Sequence, residues 1–267
     1  MLNFASMSVK RLVPSSLRGV RPGWYVLFAI AVYALVVTVL LVARRPPAAG
    51  VAGHAGATVT AATAVAGSAS GATATAGLAS GLWFPIPGAR LPAQDDHLPG
   101  AARAYRHGVS QGFDFFDQDA GVPVVAGTPV VAAQAGQVVR ADVAYTEIDP
   151  RAWEVLMADV AERGADEGQL DQLRGRQVWL RLSDGTVLRY GHLQAVRDGI
   201  RTGVNVYRGQ VIGFVGNSGT DVAVAGRTDQ ARLRFEVWPG AGTDEFFGAG
   251  LDAEAVRIAA ASLFVGP

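Results

Sequence analysis

The chain has no cysteine and a single lysine, Lys10. Without cysteine there is neither a disulfide framework nor a thiolate metal site, so any bound metal would need His, Asp or Glu, and no redox compartment is required or excluded. Net charge is missing too, with 23 Lys and Arg set against 23 Asp and Glu. With no field of one sign and no basic cluster interleaved with aromatics, nucleic-acid binding is set aside. What is present is apolar: half of the 267 residues are hydrophobic, enough for one good-sized globular domain plus extras, though not for two full domains.

Residues 24–43, from Trp24 to Ala43, form an uncharged apolar run of about twenty residues, the length at which a helix matches the hydrocarbon thickness of a bilayer. Lys10, Arg11, Arg18 and Arg21 precede it, and only Arg44 and Arg45 follow closely. This excess predicts residues 1–23 in the cytoplasm and everything after the span outside the cytoplasmic membrane. A cleaved signal peptide is the rival reading, although the run is long for one. Residues 44–82 read as a flexible Ala/Gly/Thr-rich linker, too poor in bulky side chains to bury a core, with His54 solvated inside it. Leu82-Trp83-Phe84-Pro85-Ile86-Pro87 suggests an extended strap lying on the domain at 83–267.

Within that domain the signals are short strands and glycine turns. The predicted strands are Pro129 to Ala133, Gly136 to Asp142, Gln177 to Leu182, Thr186 to Leu193, Gln210 to Val215 and Arg232 to Trp238, with Asp184-Gly185 as a two-residue hairpin signal. They predict an all-β antiparallel sandwich or barrel-like domain. One insertion at 149–175 interrupts it: Asp149 caps a helix with Pro150 in its first turn, Trp153, Leu156, Met157 and Val160 make an apolar stripe, and Gly164 ends it. A second short helix ends at Gly175. The stripe is expected to pack on the sheet, with a partner-docking surface as the alternative. Leu251 to Phe264 predicts a C-terminal helix.

In Arg232 to Trp238, alternation puts Arg232, Arg234 and Glu236 on one strand face and Leu233, Phe235 and Val237 on the other. Adjacent guanidiniums repel unless a carboxylate or a bound anion lies opposite. The carboxylate expected there is Asp114, in the alternating segment Gln111-Gly112-Phe113-Asp114-Phe115.

Five segments in consistent order carry a family resemblance. They are Gln111 to Phe115; Gly127-Thr128-Pro129-Val130-Val131-Ala132-Ala133 followed by Gly136-Gln137-Val138-Val139; Tyr190-Gly191-His192-Leu193; Gly209 to Gly219; and Arg232-Leu233-Arg234-Phe235-Glu236. Together they resemble the LytM and lysostaphin type of zinc endopeptidase, which cuts peptide cross-links in bacterial peptidoglycan and has the duplicated hybrid motif fold. The resemblance implies that the family's zinc-ligand positions fall at Ser110, Asp114 and Arg234, and its catalytic-histidine positions at His192 and Arg232. Only Asp114 keeps a ligating side chain. A catalytic zinc needs about three protein ligands, and a guanidinium has no lone pair to offer. No cofactor is therefore expected, and zinc enters only if this degenerate-site reading is wrong, with His107 as the substitute ligand able to swing inward. Asp117 and Asp119 are expected on a solvated turn.

The expectation is that Arg234 or Arg232 takes the metal position and neutralises Asp114. The second arginine is then left in a binding groove of Asp114, His192, Arg232 and Arg234 to hold an anionic group such as a stem-peptide carboxylate. The implied role is a membrane-anchored, catalytically inactive module that binds peptidoglycan or regulates a cell-wall hydrolase. The alternatives are an active zinc metalloendopeptidase and a structural envelope subunit without peptidoglycan contact.

Overall fold

The computed structural model describes residues 80–239 and 245–266. The predicted cytoplasmic segment, the span at 24–43 and the linker as far as residue 79, His54 included, lie outside the described residues. Among the described residues no helix is long and apolar enough to cross a membrane.

Eleven strands are described: β1 (Ala102–Arg103), β2 (Gly108–Val109), β3 (Phe113–Phe116), β4 (Pro129–Val131), β5 (Gly136–Ala141), β6 (Val178–Arg181), β7 (Val187–Gly191), β8 (Leu193–Val196), β9 (Asn205–Val206), β10 (Val211–Val215) and β11 (Arg232–Trp238). They build a six-stranded sheet in the order β3-β11-β7-β6-β5-β9, a three-stranded sheet in the order β4-β10-β8, and the small pair β1-β2. Every named pairing is antiparallel. The two larger sheets share one core, in which Val130, Ile212 and Leu193 from one belong to the same buried cluster as Leu180, Leu188, Phe113 and Phe235 from the other. A polar tie also crosses it: the buried Tyr190 hydroxyl of β7 accepts from the backbone N–H of Ala133, just past β4, at 2.9 Å.

The turn residues act as expected. Gly185 adopts φ 89°, and the Asp184 carboxylate accepts from the Thr186 N–H at 2.9 Å, closing the β6-β7 hairpin. The single strand predicted over Thr186 to Leu193 is instead broken at His192, whose φ is 59°. A left-handed residue cannot continue a strand. The break ends β7 in the six-stranded sheet and starts β8 in the three-stranded one.

The helices are α1 (Pro150–Arg163), α2 (Glu167–Leu173), α3 (Asp221–Val224) and α4 (Ala253–Leu263). Asp149 caps α1 by accepting from the Arg151 and Ala152 N–H groups, and Gly164 ends it; Asp166 and Gln169 form a capping box on α2. The α1 stripe does not pack on the sheet as expected. Leu156 and Val160 instead form a cluster with Leu173 of α2, with Trp153, Met157, Ile148 and Ala165 packed around it. The physical reason is local: α2 follows within three residues of α1 and offers an apolar surface before the sheet can.

The strap binds more deeply than a surface ribbon. Leu82, expected at the end of the linker, is fully buried and exchanges backbone hydrogen bonds with Leu263 and Val265 at 2.9 and 2.8 Å. The Phe84 ring stacks on Phe264 at 4.4 Å, so α4 and the strap fix each other. The expected solvated turn at Asp117 and Asp119 is also corrected in part. Asp119 is half-buried and anchors the segment that follows the strap, accepting from the Ala93 and Gln94 N–H groups and lying 2.8 Å from the His97 ring.

Candidate functional site

Register assembles the site. β11 lies between β3 and β7, with Arg234 directly opposite Asp114 on one side and Gly191 on the other. The same alternation that sends Leu233, Phe235 and Val237 into the core turns Arg232, Arg234 and Glu236 to the opposite face. That face is not solvated either: Arg234 is 7% exposed and Glu236 1%. Gly112 permits the close approach, because a Cβ there would sit 2.4 Å from the Phe235 carbonyl oxygen.

The Arg234 guanidinium reaches three of its neighbours. Nη1 donates to Asp114 Oδ1 and Oδ2 at 2.9 and 3.0 Å, Nη2 to Ser110 Oγ at 3.1 Å, and Nε to Glu236 Oε1 at 2.9 Å. The three positions that the resemblance assigns to zinc therefore meet, and the group between Ser110 and Asp114 is the guanidinium itself. Ser110 Oγ donates to the Gly112 carbonyl at 2.9 Å. Asp114 is held from a second side by Arg103, whose Nη2 lies 3.0 Å from Oδ2.

Glu236 is the second hub. Arg174, at the end of α2, donates from Nε to both of its oxygens at 3.0 and 3.2 Å, and Trp238 Nε1 donates at 2.9 Å. Arg174 also reaches Glu167 at 3.0 Å and Gln111 at 2.6 Å, joining the insertion to the sheet. Arg103, Arg106 and Arg174 carried no signal in the sequence, and Gln111 was marked only as part of a motif, not as a partner of Arg174. Glu236 did, as a carboxylate two positions from Arg234 on the same strand face, yet its role as a counter-charge was missed.

Burial by itself would raise the Asp114 carboxyl, but the guanidiniums of Arg234, then Arg232 and Arg103 reverse this and hold it at about 2. Glu236 follows the same pattern, with burial opposed by Arg174 and Arg234, and is also held at about 2. Burial lowers Arg234, but Asp114 and Glu236 more than offset it, so its proton is held above the usual guanidinium range. Burial, helped by Arg232, pushes His192 well below the ordinary imidazole value, so it is neutral. Its Nδ1 lies 2.8 Å from the Ser218 carbonyl oxygen. A carbonyl only accepts, so Nδ1 carries the proton and Nε2 keeps its lone pair.

Arg232 does not join the cluster. Among the described residues its guanidinium has no hydrogen-bond or ion-pair partner; it lies over the Phe116 ring, 5.3 Å from the centroid. His107 does not turn toward the site: its Nε2 is 2.8 Å from the Ala161 carbonyl oxygen of α1. Above the cluster is a cavity of about 530 Å³ whose lining includes Asp114, His192, Arg232 and Arg234, with Trp153 and Met157 of the insertion on one wall.

These residues do not fit zinc. Of the three assigned positions one offers a carboxylate, one a neutral hydroxyl and one a permanent cation, which both lacks a lone pair and repels a divalent ion. No group of three or more His, Asp or Glu side chains suited to a metal occurs among the described residues.

No curated protein matches the chain. Similar solved structures include Helicobacter pylori Csd3, at 21% identity over 60% of this chain and 30% of that one, TM-score 0.34. Another is the catalytic domain of the prophage-encoded M23 protein EnpA from Enterococcus faecalis, in mutant form, at 17% identity over 64% and 95%, TM-score 0.37. The catalytic domain of lysostaphin from Staphylococcus simulans is similar at 19% identity over 63% and 86%, TM-score 0.32. The chain spans 30% and 34% of the length of the two Csd3 chains. Residues 155–244 match the family model described as Peptidase family M23, so that part of the chain is similar to this family.

Proposed function

We propose that this chain is a single-pass membrane protein, N-terminus in the cytoplasm, whose extracytoplasmic LytM-type domain binds peptidoglycan or a cell-wall hydrolase in the bacterial envelope and does not cut peptidoglycan. The observation that carries the loss of cutting is the Arg234 guanidinium, which donates to Asp114 and Ser110 from the position where a peptidase of this type would hold its metal. Without a metal to acidify its water, the site has no hydroxide to attack a peptide bond. His192 keeps a lone pair on Nε2 but is a poor substitute base, because burial holds it well below the ordinary imidazole value. Membrane anchoring is supported by the apolar run at 24–43 and by the arginines and lysine before it.

The test is zinc content together with turbidity loss of a sacculus suspension, measured on the full chain in detergent. The expected result is no stoichiometric zinc, no cleaved muropeptides, and sedimentation of the protein with sacculi or with a cell-wall hydrolase. Bound zinc with released muropeptides would overturn the reading in favour of an active metalloendopeptidase, and failure to associate with sacculi or any hydrolase would leave a structural envelope subunit.

A further inference from the structure

We infer that Arg232 and Arg106 form a binding site for the free carboxylate of a short peptide in the cavity above the Arg234 cluster. The inference deepens the proposed reading of the groove as a binding site, and rests on it.

Five arginines line this cavity, and three of them are spent. Arg234 is held by Asp114, Ser110 and Glu236; Arg174 by Glu236, Glu167 and Gln111; Arg103 by Asp114 and the Asp96 carbonyl. The buried carboxylates are thereby consumed. Arg232 retains only the Phe116 ring, a contact that favours a cation but leaves its N–H donors free. Arg106 is 7% exposed, and its guanidinium makes one hydrogen bond, from Nη2 to the Val109 carbonyl at 2.6 Å. The remaining acids on the lining, Asp96 and Asp221, pair with neither of these arginines. Asp114 acts on Arg232 by charge but spends its hydrogen bonds on Arg234 and Arg103, so a half-buried and a buried guanidinium face one cavity with N–H donors left for a complementary anion.

The rest of the lining selects among anions. A volume of about 530 Å³ suits a molecule the size of a short peptide. Trp153 and Met157 offer apolar wall to its side chains, and His192 Nε2 is an acceptor for a peptide N–H. Asp96 and Asp221 add negative charge to the lining, which disfavours a doubly charged phosphate relative to a carboxylate monoanion.

The test is isothermal titration of the full chain in detergent with N-acetyl-D-alanyl-D-alanine, with its C-terminal amide, and with inorganic phosphate. The acid is expected to bind at least tenfold more tightly than the amide. Arg232→Gln and Arg106→Gln are each expected to weaken the acid at least tenfold without changing the weak binding of the amide. Equal affinity for acid and amide in the parent protein, no binding of either, or unaltered binding by both variants would overturn the site. Tighter binding of phosphate than of the dipeptide would overturn the peptide assignment. The acid-to-amide comparison needs only the parent protein, so it stands even if a variant fails to fold. If sacculi are bound but the dipeptide is not, the carboxylate site falls and the binding role remains; if sacculi are digested, the binding role falls independently of the titration.

Discussion

Arg234 Nη1 lies 2.9 and 3.0 Å from the two oxygens of Asp114, joining β11 to β3 across 120 residues of sequence. Both side chains are buried, and Arg234 holds Glu236 from the same guanidinium. A desolvated pair of this kind contributes little net stability while intact, but its rupture is costly because one charge is left uncompensated.

Arg234→Met is therefore expected to destabilise the domain by about 3–5 kcal/mol, the range for removing one partner of a buried ion pair. The check is urea unfolding followed by tryptophan fluorescence. Arg234→Met combined with Asp114→Asn should cost less than the sum of the two single changes, because the second change removes the charge that the first has stranded. Simple additivity would show that the two groups are not coupled.

Acid should loosen the fold in two stages. His192 is held neutral, below the ordinary value of 6.5, so the unfolded chain binds more protons than the native one and stability begins to fall as pH drops below about 6.5. Asp114 and Glu236 are depressed from 3.8 and 4.5 to about 2, so their contribution is complete above the unfolded values and is lost between about pH 4.5 and pH 2. Each carboxylate's share is of order 2 kcal/mol. Thermal melts across pH 7 to 2 read both stages. His192→Gln should flatten the first stage and leave the second in place.

Restoring imidazoles should restore metal binding. The triple change Ser110→His, Arg232→His, Arg234→His supplies the missing lone pairs around Asp114, and zinc titration should then approach one ion per chain. Arg103 still holds Asp114 Oδ2 at 3.0 Å and competes with the metal for it. Adding Arg103→Ala is therefore expected to tighten zinc further, by roughly tenfold if the lost competition is worth about 1.4 kcal/mol.

Tyr190→Phe removes the acceptor for the buried Ala133 N–H that ties β7 to the other sheet. An orphaned buried donor costs about 1–3 kcal/mol. A fall in the denaturation midpoint with an unchanged slope would report this loss without a change in fold.

Local chemistry made part of the molecule legible. Strict alternation marked β11 from Arg232 to Trp238 at both ends, and Asp149-Pro150 marked the start of α1, because strand pleat and helix cap are written within a few residues. Asp184-Gly185 marked the β6-β7 hairpin for the same reason. The break at His192 was not legible, since a left-handed histidine leaves no mark in composition and is imposed by bonds from its N–H to the Arg174 carbonyl and from Nδ1 to Ser218. The packing of α1 on α2 rather than on the sheet was hidden as well, because an apolar stripe does not name its partner.

The sequence by itself showed a resemblance to a LytM-type β domain, with a neutral hydroxyl and a permanent cation at two of the three positions where that resemblance expects a metal ligand, because residue identity alone decides charge and donor type. It also placed Arg232 and Arg234 on one face of the same strand. Only the tertiary structure decided that Arg234 and not Arg232 holds Asp114, that Arg103 and Arg174 complete the charge balance, and that Arg106 joins Arg232 in the cavity. Those pairings connect residues as far as 120 positions apart, and a long-range ion pair is fixed by strand register and burial, which no short stretch of sequence encodes.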